Sequence, residues 1–251
     1  MKKLLLLGLL ISISVNGQRN KNADYWNSWQ YTAKDGMVQK FEEAAAKKTA
    51  MFNKTPETAI ITYRFVTGSR TGTYERVESG KSPSDYNLDR SAEGKYWQEN
   101  VGKYIAKDNG QTRWQRLSNG SYNPNPENTT PATYVQKITY NVKADGILHF
   151  RRYLYRMAKV AEKRGWDAGR SLFRLVSGGN RNQFILAITF NDYKRNEGPE
   201  METSTEDDYD ELFGWGTRRE DQKNFDASLE YWGEEVETLK LVPSMSTGMM
   251  K

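Results

Sequence analysis

Arg64-Phe65-Val66-Thr67-Gly68 recurs 110 positions later as Arg174-Leu175-Val176-Ser177-Gly178. At the same spacing Asp35-Gly36 recurs as Asp145-Gly146, and Tyr74 matches Phe184. Self-similarity at a fixed separation marks a duplicated unit, so it is read before any single motif. A third pair, Tyr96-Trp97-Gln98-Glu99-Asn100-Val101 and Tyr231-Trp232-Gly233-Glu234-Glu235-Val236, lies 135 apart. The additional 25 residues are expected as an insertion in the second copy, within 191–226. The chain then divides into a first half over 18–118, a Pro/Asn-rich linker over 119–131 and a second half over 132–251.

Each copy reads alike. Tyr25 to Thr32 and Tyr134 to Val142 carry aromatic and alternating residues and predict strands. Met37, Phe41, Ala44, Ala45 and Phe52 recur at helical spacing, as do Ile147, Phe150, Leu154, Met157 and Ala161. The aspartates ahead of these helices are expected to cap them. Two β-rich runs follow in each copy, Ala59–Thr67 with Thr73–Val77 and Ser171–Ser177 with Gln183–Phe190, joined by Gly/Asn turns of hairpin type. The Tyr-Trp landmarks predict a second helix in each half. Arg113–Leu117 and Thr238–Val242 are expected as closing strands.

The resulting order, β-α-β-β-α-β twice, is the split βαβ ferredoxin-like unit. One such sheet leaves a bare face, and a second copy can cover it. The chain therefore resembles the tandem form of the dimeric α/β-barrel superfamily, an α+β fold of two ferredoxin-like halves packed as a pseudo-symmetric barrel. The likeness spans about residues 24 to 245 and rests on topology and duplication, not on a family-specific signature.

The 251 residues include 37 Lys+Arg, 32 Asp+Glu, one histidine and no cysteine. Without cysteine there are no disulfides, zinc-thiolate sites or cysteine nucleophiles. Lys2 and Lys3, the apolar run Leu4–Ile13 and Ser14-Val15-Asn16-Gly17 predict a signal peptide over 1–17, hence export to a bacterial periplasm or beyond. No later run is long and apolar enough to predict a transmembrane helix. The charge left after residue 17 is near balance, which argues against nucleic acid as a partner.

Five residues stand out as candidate ligand contacts. Arg64 and Arg174 sit at equivalent mid-strand positions among apolar residues, and alternation aims them between the sheets. A buried arginine needs an internal carboxylate or an anionic ligand. Tyr31 and Tyr140 are candidates for the aromatic lining of a pocket. His149 is unique and opens a helix rich in Arg152, Arg156, Lys159 and Lys163. It reads either as an exposed residue on a solvated basic face or as a functional base. The resemblance implies a further role, since some tandem families of the superfamily bind haem through a second-half histidine. The acidic run Glu206–Glu211 either folds over the basic helix or remains a loop. With no nucleophile elbow or phosphate loop present, the leading expectation is a non-catalytic envelope protein. It would bind a small apolar or anionic ligand, or a protein partner, with no cofactor. The alternatives are a cofactor-independent monooxygenase or isomerase and a haem-binding protein using His149.

Overall fold

A computed structural model describes residues 24–128, 130–194 and 201–248. The expected signal segment, residues 1–17, lies outside the described residues. The first half runs β1 (Tyr25–Ala33), α1 (Val38–Phe52), β2 (Ile61–Phe65), β3 (Tyr74–Lys81), α2 (Ser91–Asn100) and β4 (Ile105–Tyr122). The second runs β5 (Tyr134–Val142), α3 (Ile147–Lys163), β6 (Arg170–Ser177), β7 (Gln183–Phe190), α4 (Thr205–Phe213), α5 (Thr217–Ser228) and β8 (Leu229–Leu241). No helix among the described residues is long and apolar enough to cross a membrane.

The strands close into one antiparallel barrel, β1-β3-β2-β8-β5-β7-β6-β4. Within each half the order is ferredoxin-like. The halves are sewn together by β2 on β8 and by β4 on β6, with Phe65 opposite Leu239 and Trp114 opposite Leu175. Closure pairs every sheet edge, which removes the exposed edges that two separate sheets would carry.

The barrel so formed has an inner face and an outer face covered in part by the helices. Outside, α1 and α2 cover Tyr31, Phe41, Ala45 and Tyr74 in the first half. In the second, α3 and α5 cover Tyr140, Phe150, Leu154, Leu172, Phe184 and Phe225. Phe41 and Phe150, at the helical spacing read from the sequence, are fully buried. Inside the barrel lie two small apolar clusters, Trp114 with Phe173, Leu175 and Ile185, and Tyr63 with Phe65 and Leu239. The polar residues of the interior sit between them.

Four expectations are corrected. The helix N-caps are Met37 and Gly146 without a side-chain cap bond, because Asp35 and Asp145 stand too early in the turn. Trp97 does pack under its helix, 4.8 Å from Tyr31, but Tyr231 and Trp232 are exposed at 87% and 85% and belong to β8. A bulge opposite Asn141 throws them outward, with Trp232 at φ +56°. The second-half counterpart of α2 comes instead from the insertion, as α4 and α5. Finally, both closing strands are far longer than expected, and β4 reaches Tyr122, inside the stretch read as linker. The acidic run does fold over the basic helix: Asp208 bonds Arg164 and Lys163, Lys163 also holds Glu211 at 2.6 Å, and Asp221 of α5 takes Arg152 and Arg156 at 2.8 and 2.6 Å.

Candidate functional site

Alternation along β5 sends Ile138, Tyr140 and Val142 to the helix layer and therefore Lys137 and Thr139 into the barrel. The same rule on β3 sends Tyr74 and Arg76 outward and Glu75 inward. On β1 it turns Ser28 inward. These side chains meet. Lys137 Nζ donates to both carboxylate oxygens of Glu75, at 2.6 and 2.7 Å, and Ser28 Oγ donates to the same carboxylate at 2.6 Å.

Burial alone would raise the Glu75 carboxyl. The Lys137 charge and the bonds from Lys137 and Ser28 outweigh that and hold it below the usual carboxylate range. Burial pushes Lys137 the other way, below the usual lysine value, against the pull of Glu75. Beside them the Glu237 carboxylate, fully buried, takes Arg70 Nε at 3.0 Å and a second bond from Arg70 Nη2. Gly68 allows this: at φ +85° its absent Cβ would lie 2.6 Å from Glu237 Cγ. The repeated Gly178 has an analogous reason, since a Cβ there would lie 2.6 Å from the Gln111 carbonyl.

A cavity of about 190 Å³ opens against this pair, walled by Trp114 and Ile185, with Gln30, Asn109, Gln183 and Glu235 toward its mouth. It is smaller than the roughly 300–1,000 Å³ of drug-sized sites, so it has room only for a small molecule. The Thr139 hydroxyl lines the cavity, is buried, and has no hydrogen-bond partner among the described residues. Such a group costs about 1–3 kcal/mol unless something in the cavity bonds it.

The five residues singled out in the sequence do not line this cavity. Tyr63 and Phe65 face the interior, so Arg64 between them faces the helix layer, 5.5 Å over the Tyr74 ring. Arg174 likewise lies between inward Phe173 and Leu175, 5.7 Å over Phe184. The expectation that both arginines point between the sheets is thus corrected: alternation was right, but its phase was inverted. Tyr31 and Tyr140 are buried under the helices, against Phe41 and Phe150. His149 is half-buried on α3, with Arg152 Nη2 3.3 Å from its Nδ1. Haem does not fit around it. The layer between α3 and the sheet is filled by Phe150, Phe184 and Phe225, with ring centroids 4.8 and 5.4 Å from Phe150, and His149 stands on the flank of that layer.

The sequence reading missed Lys137, Glu75, Ser28 and Thr139. Their signal was present as the polar partners of the alternating apolar residues, but on an open sheet such partners face water.

No family model and no curated protein matches the sequence. Solved structures do. A monooxygenase-like protein from Lactobacillus acidophilus NCFM superposes with TM-score 0.55 at 12% identity, covering 90% of this chain and 96% of its own. One from Fusobacterium nucleatum gives 0.57 at 10%, covering 87% and 92%. The chlorite dismutase of Candidatus Nitrospira defluvii gives 0.51 at 8%, covering 88% and 92%. The expectation of a non-catalytic envelope protein is corrected by these neighbours, which are oxidative enzymes and enzyme-like proteins matched over nearly their whole length. Cavity, closure and neighbours agree on the architecture: the chain has the tandem ferredoxin-like fold of the dimeric α/β-barrel proteins.

Proposed function

We propose that this protein is an enzyme of the monooxygenase or isomerase type that moves a proton on a small carbonyl or phenolic substrate inside the barrel, without a cofactor of its own. The observation that carries this reading is the buried Lys137–Glu75 pair beside the partnerless Thr139 hydroxyl in one small cavity. A general base works best when its pKa is near the working pH, and burial moves Lys137 in that direction. The fraction of Lys137 that has lost its proton, which burial enlarges against the pull of Glu75, takes the proton from an activated C–H or O–H. Thr139 donates to the oxygen on which negative charge gathers. Glu75 keeps the amine oriented and faces an ammonium once the proton has moved. The resulting anion is reprotonated at another position in an isomerase; in a monooxygenase the carbanion of a CH2 group adds dioxygen, and after protonation the hydroperoxide loses water, leaving one oxygen atom in the product as a carbonyl. The monooxygenase-like neighbours support the second outcome.

The test is a panel of small 1,3-dicarbonyl and hydroxyaromatic compounds, followed by NMR for deuterium uptake from solvent and by an oxygen electrode. Lys137→Met is expected to lower turnover about 10²–10⁴-fold, the span of general acid–base catalysis. Thr139→Val should lower kcat with little change in KM. Exchange or oxygen uptake that survives Lys137→Met at the wild-type rate would remove the proposal.

A further inference from the structure

The barrel cavity carries an unbalanced charge at its mouth. In its wall and just behind it stand two cations, Lys137 and Arg70, and three carboxylates, Glu75, Glu235 and Glu237. Lys137 and Glu75 close on each other. Arg70 is fully engaged: its Nε and Nη2 donate to Glu237, and its Nη1 donates to Gln30 Oε1 at 3.3 Å. Glu235 is left over. Its Oε1 accepts the Ser69 hydroxyl at 2.7 Å, while its Oε2 stands 4.0 Å from Arg70 Nη2 with no hydrogen bond from any described residue. The side chain is 47% exposed, open to whatever enters the mouth.

Strand register sets this carboxylate beside the partnerless hydroxyl. Glu235 of β8 and Ile185 of β7 lie directly opposite Thr139 of β5, one on each side of it. Opposite residues of an antiparallel pair hold their Cβ atoms about 4.5–5.5 Å apart on one face. Thr139 is 8% exposed, its hydroxyl is unpaired among the described residues, and both side chains line the same cavity. An oxyanion bonded to Thr139 alone would be repelled by Glu235. An ammonium on a neighbouring atom of the same ligand meets Glu235 and offsets that repulsion. The first half brings no such charge to the mouth: Gln30, which precedes Tyr31 as Thr139 precedes Tyr140, faces the β4 bulge at Asn109 and Gly110.

We propose that Glu235 determines specificity, selecting a small substrate that carries a protonated amine beside its reacting oxygen and rejecting one that carries a carboxylate there. The ammonium donates to Glu235 Oε2 in a charge-assisted bond, the reacting oxygen accepts from Thr139, and the apolar frame between them packs on Trp114 and Ile185. This names a substrate class for the proton-transfer reading and rests on that reading for the reacting oxygen, whereas the selectivity itself is a property of binding.

Three phenols that differ only in their ortho substituent test it by isothermal titration at pH 7 and low ionic strength: 2-(aminomethyl)phenol, 2-(hydroxymethyl)phenol and salicylate. The amine is expected to bind about tenfold or more tightly than the alcohol, the gain of a charge-assisted bond over a neutral one, and salicylate to give no heat above buffer. Glu235→Gln keeps the shape of the side chain and an acceptor for Ser69 but removes the charge, so the amine should fall to the level of the alcohol. Binding of the alcohol by this variant shows that the cavity is still formed. Equal affinities for amine and alcohol in the wild type, no binding by any of the three, or an amine preference that survives in Glu235→Gln overturns the proposal. A variant that loses amine and alcohol alike makes Glu235 a structural residue and overturns it too. Deuterium exchange and oxygen uptake on the same compounds separate the two readings. Selective binding without turnover supports the role of Glu235 and removes proton transfer alone; turnover of all three compounds at like rates removes the specificity alone.

Discussion

Replacing Lys137 by methionine isolates the interior pair. Methionine keeps the length of the side chain and fills much of its volume, so the packing between Trp114 and Ile185 is little disturbed. What changes is Glu75, whose side chain is 6% exposed and whose carboxylate then keeps only the Ser28 hydroxyl as donor. Breaking a buried pair by removing one partner costs about 3–5 kcal/mol, because the remaining ion stays in low dielectric. With a urea m-value near about 2.5 kcal/mol/M, the midpoint should fall by about 1–2 M. The double variant Lys137→Met/Glu75→Leu removes both charges and should recover most of the loss, since apolar replacement of a whole pair is often neutral or better.

The pH dependence has a definite sign. In the wild type the folded Glu75 value lies below its ordinary 4.5, so its contribution is present above 4.5 and lost as pH falls through the folded value. Without Lys137 the burial penalty dominates and the folded value rises above 4.5. The gap to the wild type should then widen as pH rises from 4.5 to 8 and close only as pH falls below 4.5. Lys137 itself, held below 10.5 in the fold, should make the wild type gain stability between its folded value and 10.5, a gain absent from the variant. Urea unfolding followed by tryptophan fluorescence at pH 4.5, 7 and 8 reads all of this. A loss under about 1 kcal/mol, or the same loss at pH 4.5 and pH 8, would refute the reasoning.

Three further outcomes are expected. Gly178→Ala should cost about 2–4 kcal/mol in chemical denaturation, because φ +93° is strained for alanine and the new Cβ meets the Gln111 carbonyl at 2.6 Å. Asp221→Asn should loosen α5 from α3, where Arg152, Arg156 and the Tyr209 hydroxyl converge on it, raising hydrogen exchange in α5 before the barrel strands. The folded Asp221 value lies below 3.8, so the wild-type advantage should vanish as pH falls through it. Trp232→Gly should raise the thermal midpoint by a few degrees or leave it unchanged, since it relieves about 1–2 kcal/mol of left-handed strain at an exposed position.

The topology was legible because duplication repeats the signals: β5, α3 and β7 begin at the residues expected, and both glycines of the Val-Thr-Gly and Val-Ser-Gly turns have a steric reason. The Tyr231-Trp232 landmark failed because two aromatics and an acidic tail do not by themselves fix a helix. Here the chain had already spent its helix on 205–228, and the dipeptide fell on a strand bulge. The candidate site was not legible for a different reason. Alternation gives the period of a strand, but which phase is interior depends on closure, and closure depends on the β2–β8 and β4–β6 pairings between residues 48 to 178 positions apart.

That same geometry explains why chemistry should collect where it does. In an open ferredoxin-like sheet the polar phase of each strand faces water, and a lysine or glutamate there is unremarked. Closing two sheets into a barrel converts that phase into an interior without changing one residue of the local pattern. Lys137 and Glu75 then have either to find each other or to leave the fold unstable, and their 2.6 Å contact shows the first. Ser28 and Lys137 sit three residues before Tyr31 and Tyr140, which occupy matching places under the two helix layers. A hydroxyl and an ammonium therefore stand at equivalent interior positions of the two halves, and both reach Glu75. On the outer face the halves differ in charge: Glu42 follows Phe41, whereas Arg151 follows Phe150. A duplicated barrel acquires its sites by breaking its own symmetry, and each break is a single residue that a reversal to the sister half can test.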